Sequence, residues 1–136
     1  MKKRKLLTGI VLLILFAGTL IFFKINQSHA NVSSSKTDIQ ISAEKLYADY
    51  NNDENKANEI YLDKVIEVSG KITAVSQHSS RYIILLNQTS TGGINCLMME
   101  DSSAIVQLKP NSVITIKGKC TGFLMDVNLV DCILIK

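Results

Sequence analysis

The sequence predicts an all-β domain with minor helix: five strands closed into a small barrel, preceded by a helix or helix pair and by an N-terminal apolar segment. Three observations carry this. From Val65 onward, apolar and polar residues alternate with a period of two in successive runs separated by turn-forming residues. The heptapeptide VIEVSGK at 65–71 returns as VITIKGK at 113–119, as if one strand were needed twice. Between the third and fourth runs the pattern breaks for a short helical stretch.

Of the 136 residues, the first 24 differ from the rest. MKKRK is followed by an uncharged run from Leu6 to Phe23 and then by Lys24. As a helix rising ~1.5 Å per residue, such a run crosses a hydrocarbon layer of ~30 Å. It is longer than a usual signal-peptide core, which predicts a retained membrane anchor; Ser28-His29-Ala30 nevertheless offers a cleavage site after Ala30, which would give a secreted protein. No cysteine follows the run at lipoprotein spacing. The cations ahead of it place the downstream domain outside the cytoplasm in either case, single-pass at the cell membrane if the anchor is kept. Residues 1–24 are thus the anchor or signal segment, 25–40 a polar, serine-rich linker, and 41–136 the domain.

Ser42 can cap a helix, with Ile41 placed to pack on Leu46. Leu46, Tyr47 and Tyr50 recur at helical spacing, and Ala57 and Tyr61 repeat it beyond the polar stretch Asn51 to Asn55. One helix broken near Asn52, or two short ones, is expected, its tyrosines forming a buried face. In the first strand, VIEVSGKITAV, residues Ile66, Val68, Gly70, Ile72 and Ala74 share one face. A glycine there marks a bend or bulge. SQHSS is a turn, RYIILLN the second strand, QTSTGG a loop and INCLMM the third strand. EDSSAIVQL supplies a short helix with Asp101 or Ser102 as its cap. Pro110 and Asn111 end it at a turn, where Asn111 tolerates a left-handed backbone. SVITIKGKC and VNLVDCILI are the fourth and fifth strands.

That order suits a five-stranded barrel of the oligonucleotide/oligosaccharide-binding (OB) type, in which the first and fourth strands lie side by side and both must curl. Two such neighbours would share an alternating pattern interrupted by glycine, the role expected of Gly70 and Gly118. Two heptapeptides in unlike surroundings do not make a solenoid.

The stretches ISAEKLYADYNNDENKANEIYLDKVIEVSGKITAV and VITIKGKCTGFLMDVNLVDCILIK, together with the cysteine in INCLMM, resemble the tRNA-anti-like family of small, exported or membrane-attached OB-fold proteins. The likeness runs in order over residues 41–136. It implies the OB fold. Asn111-Ser112 replaces a glycine common in the family before the fourth strand, and Met98 stands where relatives often carry phenylalanine.

Function has to be argued from a site, since one fold hosts many activities. Five of the fifteen Lys and Arg residues belong to residues 1–24, so the remainder carries ten cations against twelve carboxylates, a net charge of −2. Nucleic-acid binding remains an expectation of the resemblance, but charge does not favour it. The candidate ligand-binding residues are Lys71, His78, Arg81, Tyr82, Lys117, Lys119 and Phe123, around the expected groove; the competing reading is a solvated polar face with Phe123 closing the barrel end. Ile83, Ile84, Leu85 and Leu86 are apolar on both faces of the second strand, so something covers its outer side: the N-terminal helix, through Leu46, Tyr50 and Tyr61, or a protein partner. Met98 and Met99 would extend that patch.

No nucleophile motif, phosphate loop or metal-ligand spacing is present, so neither catalysis nor a cofactor or metal is expected. Cys96, Cys120 and Cys132 are either small strand residues, two partners of a disulfide with three possible pairings, or a reactive thiol. The sequence therefore predicts a non-catalytic binding module of the bacterial envelope, with single-stranded nucleic-acid binding as the alternative.

Overall fold

The computed structural model describes residues 18–19, 32–99 and 103–135. The expected anchor or signal segment (1–24, apart from Gly18 and Thr19), the site at Ala30 and the helix cap at Asp101 or Ser102 lie outside the described residues. Among the described residues no helix is long and apolar enough to cross a membrane. The chain divides into a unit of residues 1–30 and a compact unit of residues 31–136; the second holds the barrel.

Its elements run β1 (Ile39–Ser42), α1 (Ala43–Asn52), α2 (Glu54–Tyr61), β2 (Val65–His78), β3 (Arg81–Leu86), β4 (Ile94–Met98), α3 (Ser103–Val106), β5 (Val113–Leu124) and β6 (Asp126–Ile135). Strands β2, β3, β4, β6 and β5 follow one another around a sheet that closes where β5 pairs with β2. The third and fifth barrel strands, β4 and β6, come together as a parallel pair, with α3 and β5 between them in the chain.

The repeated heptapeptides are each other's partners. Val65 pairs with Lys119, Val68 with Ile116 and Lys71 with Val113, so all of 65–71 lies antiparallel to all of 113–119. Each residue at the sixth position of one copy faces the second of the other: Gly70 meets Ile114 and Ile66 meets Gly118. The alternation keeps Ile66, Val68, Gly70 and Ile72 buried, but a register shift between Ile72 and Ala74 then turns the pleat. Val75, not Ala74, packs on the core beyond that bulge. An inserted residue reverses which face each later side chain takes.

Ser42 accepts a bond from the Lys45 amide and begins α1. Asp53 both ends α1 and caps α2, its carboxylate accepting from the Lys56 amide, so the break falls one residue beyond Asn52. Leu46, Tyr50, Ala57 and Tyr61 are buried. The helices pack on β1, β2, β5 and β6, closing an end of the barrel, where Tyr50 stacks on Phe123 at 5.6 Å. The expectation that they cover the outer side of the second strand is therefore corrected. At this end Leu46 and Tyr50 are fully or almost fully removed from solvent, which is where an apolar helix face gains most.

β1 was not among the expected elements. It adds parallel to β2 along 66–69, while β5 holds the other edge of that stretch and β3 pairs only from Ile72 onward. The chain ahead of it is fixed too: Asp38 exchanges bonds with Val65 through its amide and carboxylate, and Thr37 bonds the Glu67 carboxylate. In the loop before β5, Asn111 has φ 72°, the left-handed turn expected of it.

Candidate functional site

The structure distributes the seven candidate residues over four places. His78 and Arg81 face each other across the two-residue turn of the β2–β3 hairpin and are exposed. Tyr82, next to them, is half-buried and packs against the core. Lys71 is exposed on the opposite stretch of β2, in a cleft of about 390 Å³ that it shares with Thr73, Asn87, Gln88 and Asn111. The cleft walls bond one another: Asn87 accepts from the Lys71 amide and donates to Glu44, and the Gln88 amide donates to Thr73.

Lys117 and Lys119 point outward from β5 but are engaged. Lys117 is buried to 7% exposure, opposite Glu67, and its ammonium donates to the Ser35 carbonyl. Lys119 is ion-paired with Asp63 at 3.0 Å. Phe123 lies inside the aromatic cluster with Tyr47 and Tyr50. It closes the barrel end.

At the helical end, a second cleft of about 260 Å³ lies between α1 and α2, with Lys45, Asp49, Lys56 and Tyr61 among its walls. Two of its charges pair with each other, Lys45 with Asp49. The Tyr61 hydroxyl donates to Asp49 at 2.7 Å and Lys45 reaches the same carboxylate at 3.0 Å, which together hold Asp49 below its ordinary value. Burial, helped by Asp49, pushes Tyr61 up to about 12. Burial and the neighbouring Cys120 raise Tyr50 further. Among the described residues no group of three His, Cys, Asp or Glu side chains could hold a metal ion.

A different surface stands out on the strands. Ile84 and Leu86 of β3, and Cys96 and Met98 of β4, face inward and are fully or almost fully buried. Met98 thus belongs to the core and extends no surface patch. Ile83 and Leu85 point the other way, with Leu97 directly across from Ile83. Leu97 is flanked on β6 by the bulge that contains Val130. All four are half-buried, and none belongs to the core cluster. Apolar residues thus run across the outside of three adjacent strands. The alternation rule pointed to this at β3; it gave no sign on β6, because the bulge there shifts the pleat.

A closed five-stranded barrel in the order β2-β3-β4-β6-β5, with a helix between its third and fourth strands, is an OB-fold binding module. The chain belongs to the tRNA_anti-like family, whose model matches residues 1–134. A solved lipoprotein of Klebsiella pneumoniae, by name a candidate nucleic acid-binding protein, superposes with a TM-score of 0.58 at 19% identity, over 75% of this chain and 100% of that one. The S. pombe Stn1–Ten1 complex gives 0.42 at 18% identity, over 53% of this chain and 58% of its own. No curated protein matches the sequence. At this identity the Klebsiella likeness speaks for the fold alone.

Proposed function

We propose that the protein is a non-catalytic binding module of the bacterial envelope that recognises a protein or another envelope component through the outward face of β3, β4 and β6. The observation that carries this reading is the row Ile83, Leu85, Leu97 and Val130, apolar side chains on the outside of a sheet whose inside is already filled. An apolar face of this kind gains on burial about 25 cal/mol per Å², and such patches mark interaction surfaces. The apolar run at 6–23 behind a cationic N-terminus supports attachment to the membrane with the barrel outside the cytoplasm.

The second reading is single-stranded nucleic-acid binding. It is favoured by His78 and Arg81 at the hairpin tip and by the name of the Klebsiella lipoprotein. Against it, base stacking needs exposed aromatics beside free cations. Here Phe123 is half-buried against Tyr47 and Tyr50, Tyr82 rests on the core, and Lys117 and Lys119 already have partners.

A photo-crosslinking side chain placed at Leu85 in the full chain, within cells, tests the first reading. One discrete adduct is expected from position 85 and none from Ser69, on the exposed outer side of β2. Equal labelling at both positions would remove the face from consideration.

A further inference from the structure

Among the described residues, the two most exposed large apolar side chains are neighbours: Leu124 at 83% and Met125 at 78%. They form the tip of the β5–β6 hairpin, where Leu124 pairs with Asp126 and Met125 makes the turn. Met125 does so at φ 66°, a left-handed conformation that glycine and asparagine adopt readily and an ordinary side chain adopts at a cost. Of the six non-glycine residues at positive φ among the described residues, Met125 alone is apolar; the others are Asp, Asn or Ser. A tip built only to turn the chain would carry one of those polar types.

The backbone of the tip is held from behind while its two side chains protrude. Gly92 approaches the Met125 carbonyl too closely for any Cβ, the Val127 amide donates to the Gly93 carbonyl at 3.0 Å, and the Gly93 amide donates to the Asp126 carboxylate at 2.8 Å. The Gln88 side chain donates to the same carboxylate oxygen, and the Asn128 side chain donates to the Asp126 carbonyl. Polar groups carried into lipid without partners are costly. Those of Asp126 and Val127 beside the tip already have partners within the protein. Leu62 continues the apolar surface along the hairpin stem, its Cδ1 lying 3.5 Å from where a Cβ on Gly122 would stand.

The length of the chain ahead of the barrel brings a bilayer within reach of this tip. From Ser35 onward the chain is fastened: the Ser35 carbonyl accepts from Lys117, and Asp38 exchanges bonds with Val65. Residues 24–34 then separate the apolar run from the first fastened residue, and eleven residues extend no more than about 40 Å. From Lys117 to Leu124, β5 advances seven residues, about 23 Å. The tether therefore lets the tip touch the membrane surface and keeps it from straying far.

We propose that Leu124 and Met125 are an apolar wedge that enters the interfacial layer of the bilayer to which the chain is attached, so that the barrel rests on lipid by its β5–β6 tip. The inference rests on the membrane attachment proposed above. A protruding pair of flexible apolar side chains suits an acyl boundary, which offers no hydrogen bonds and imposes no fixed shape.

The test places the full chain in nanodiscs of phosphatidylethanolamine and phosphatidylglycerol, with and without a lipid bearing a nitroxide near its headgroup, and reads methyl NMR signals. Loss of the Met125 and Leu124 signals in the presence of the nitroxide is expected, with Val113, 74% exposed at the opposite end of β5, keeping its own. Met125→Asn should return the Leu124 signals and leave the melting midpoint level or higher, because asparagine accepts the left-handed turn. A lower midpoint would show that the methionine serves the fold; no loss at Met125, or equal loss at Val113, would show that the tip does not enter lipid. Each of these overturns the wedge while leaving the attachment standing. A chain that does not incorporate into the nanodiscs overturns the attachment, and the wedge with it.

Discussion

Gly70 and Gly118 occupy the same position of the repeated heptapeptide yet make room for different things. A Cβ on Gly70 would meet the Cβ of Ala43 and the Asn87 side-chain oxygen, both at 2.7 Å, so this glycine lets α1 and the β3–β4 loop close on β2. A Cβ on Gly118 would meet the Cys132 sulfur. The sequence signalled curvature at both; the identity of the group admitted comes from strands far away in the chain. Gly118→Ala is expected to cost about 2 kcal/mol by overpacking. Combined with Cys132→Ala, it should recover at least about 1 kcal/mol in a double-mutant cycle measured by denaturant unfolding. Recovery will be partial, because Leu129 Cβ and the Val130 carbonyl also lie at 3.3 Å. Additive effects would show that the sulfur is not what Gly118 accommodates.

The Tyr61–Asp49 bond makes stability depend on pH at both ends. Asp49 is depressed in the folded state, so its contribution is present above the ordinary carboxylate value of 3.8 and is lost as pH falls through the lower folded value. Tyr61 is raised from 10.0 to about 12, so its contribution is complete below pH 10 and disappears between the two. Tyr61→Phe should cost about 1 kcal/mol at neutral pH. The Asp49 carboxyl should then titrate at higher pH by NMR. An unmoved Asp49 titration would contradict the assignment of Tyr61 as its main partner.

At the scale of elements, the long strands were legible because their burial alternates over many residues. The paired heptapeptides were legible as neighbours because antiparallel partners under one curvature meet one steric demand. β1 was not legible. Four residues, IQIS, show too little pattern to separate a strand from a linker, and its hold comes from Asp38 and Thr37 reaching β2 across almost thirty residues. Asp38→Ala removes the carboxylate that accepts from the Val65 amide at 2.9 Å. It should accelerate amide exchange throughout β1 and leave the β5 amides paired with β2 unchanged, at a cost of about 1 kcal/mol. Uniform acceleration in both would mean that β1 opens only with the whole barrel. The helix pair was legible as well, since Leu46, Tyr47 and Tyr50 and then Ala57 and Tyr61 recur at helical spacing on either side of a polar break; the double role of Asp53 as end and cap came from the structure. Its docking place was not, because an amphipathic face fixes that a helix is covered without saying by what.

For the whole molecule, the candidate site was the least legible part. The seven polar and aromatic candidates were chosen for residue type, and folding scatters them: two at a hairpin tip, one on the core beside it, one in a polar cleft, two tied to Ser35 and Asp63, and one half-buried against the aromatic cluster at the barrel end. The apolar row on β3, β4 and β6 has the opposite history, since it arises from residues that looked like ordinary core. Its extent depends on the β6 bulge. The net charge of −2 beyond Lys24 points the same way as this geometry, toward a ligand that is not a polyanion.

The most direct test is an amide NMR titration of the compact unit 31–136 with mixed single-stranded oligonucleotides at low salt, repeated at high salt. The account predicts a well-dispersed spectrum with no shifts at either salt. Shifts around Lys71, His78, Arg81 and Tyr82 that vanish at high salt would contradict it, because cation contacts to phosphate weaken steeply with ionic strength, and would establish the barrel as a nucleic-acid binder.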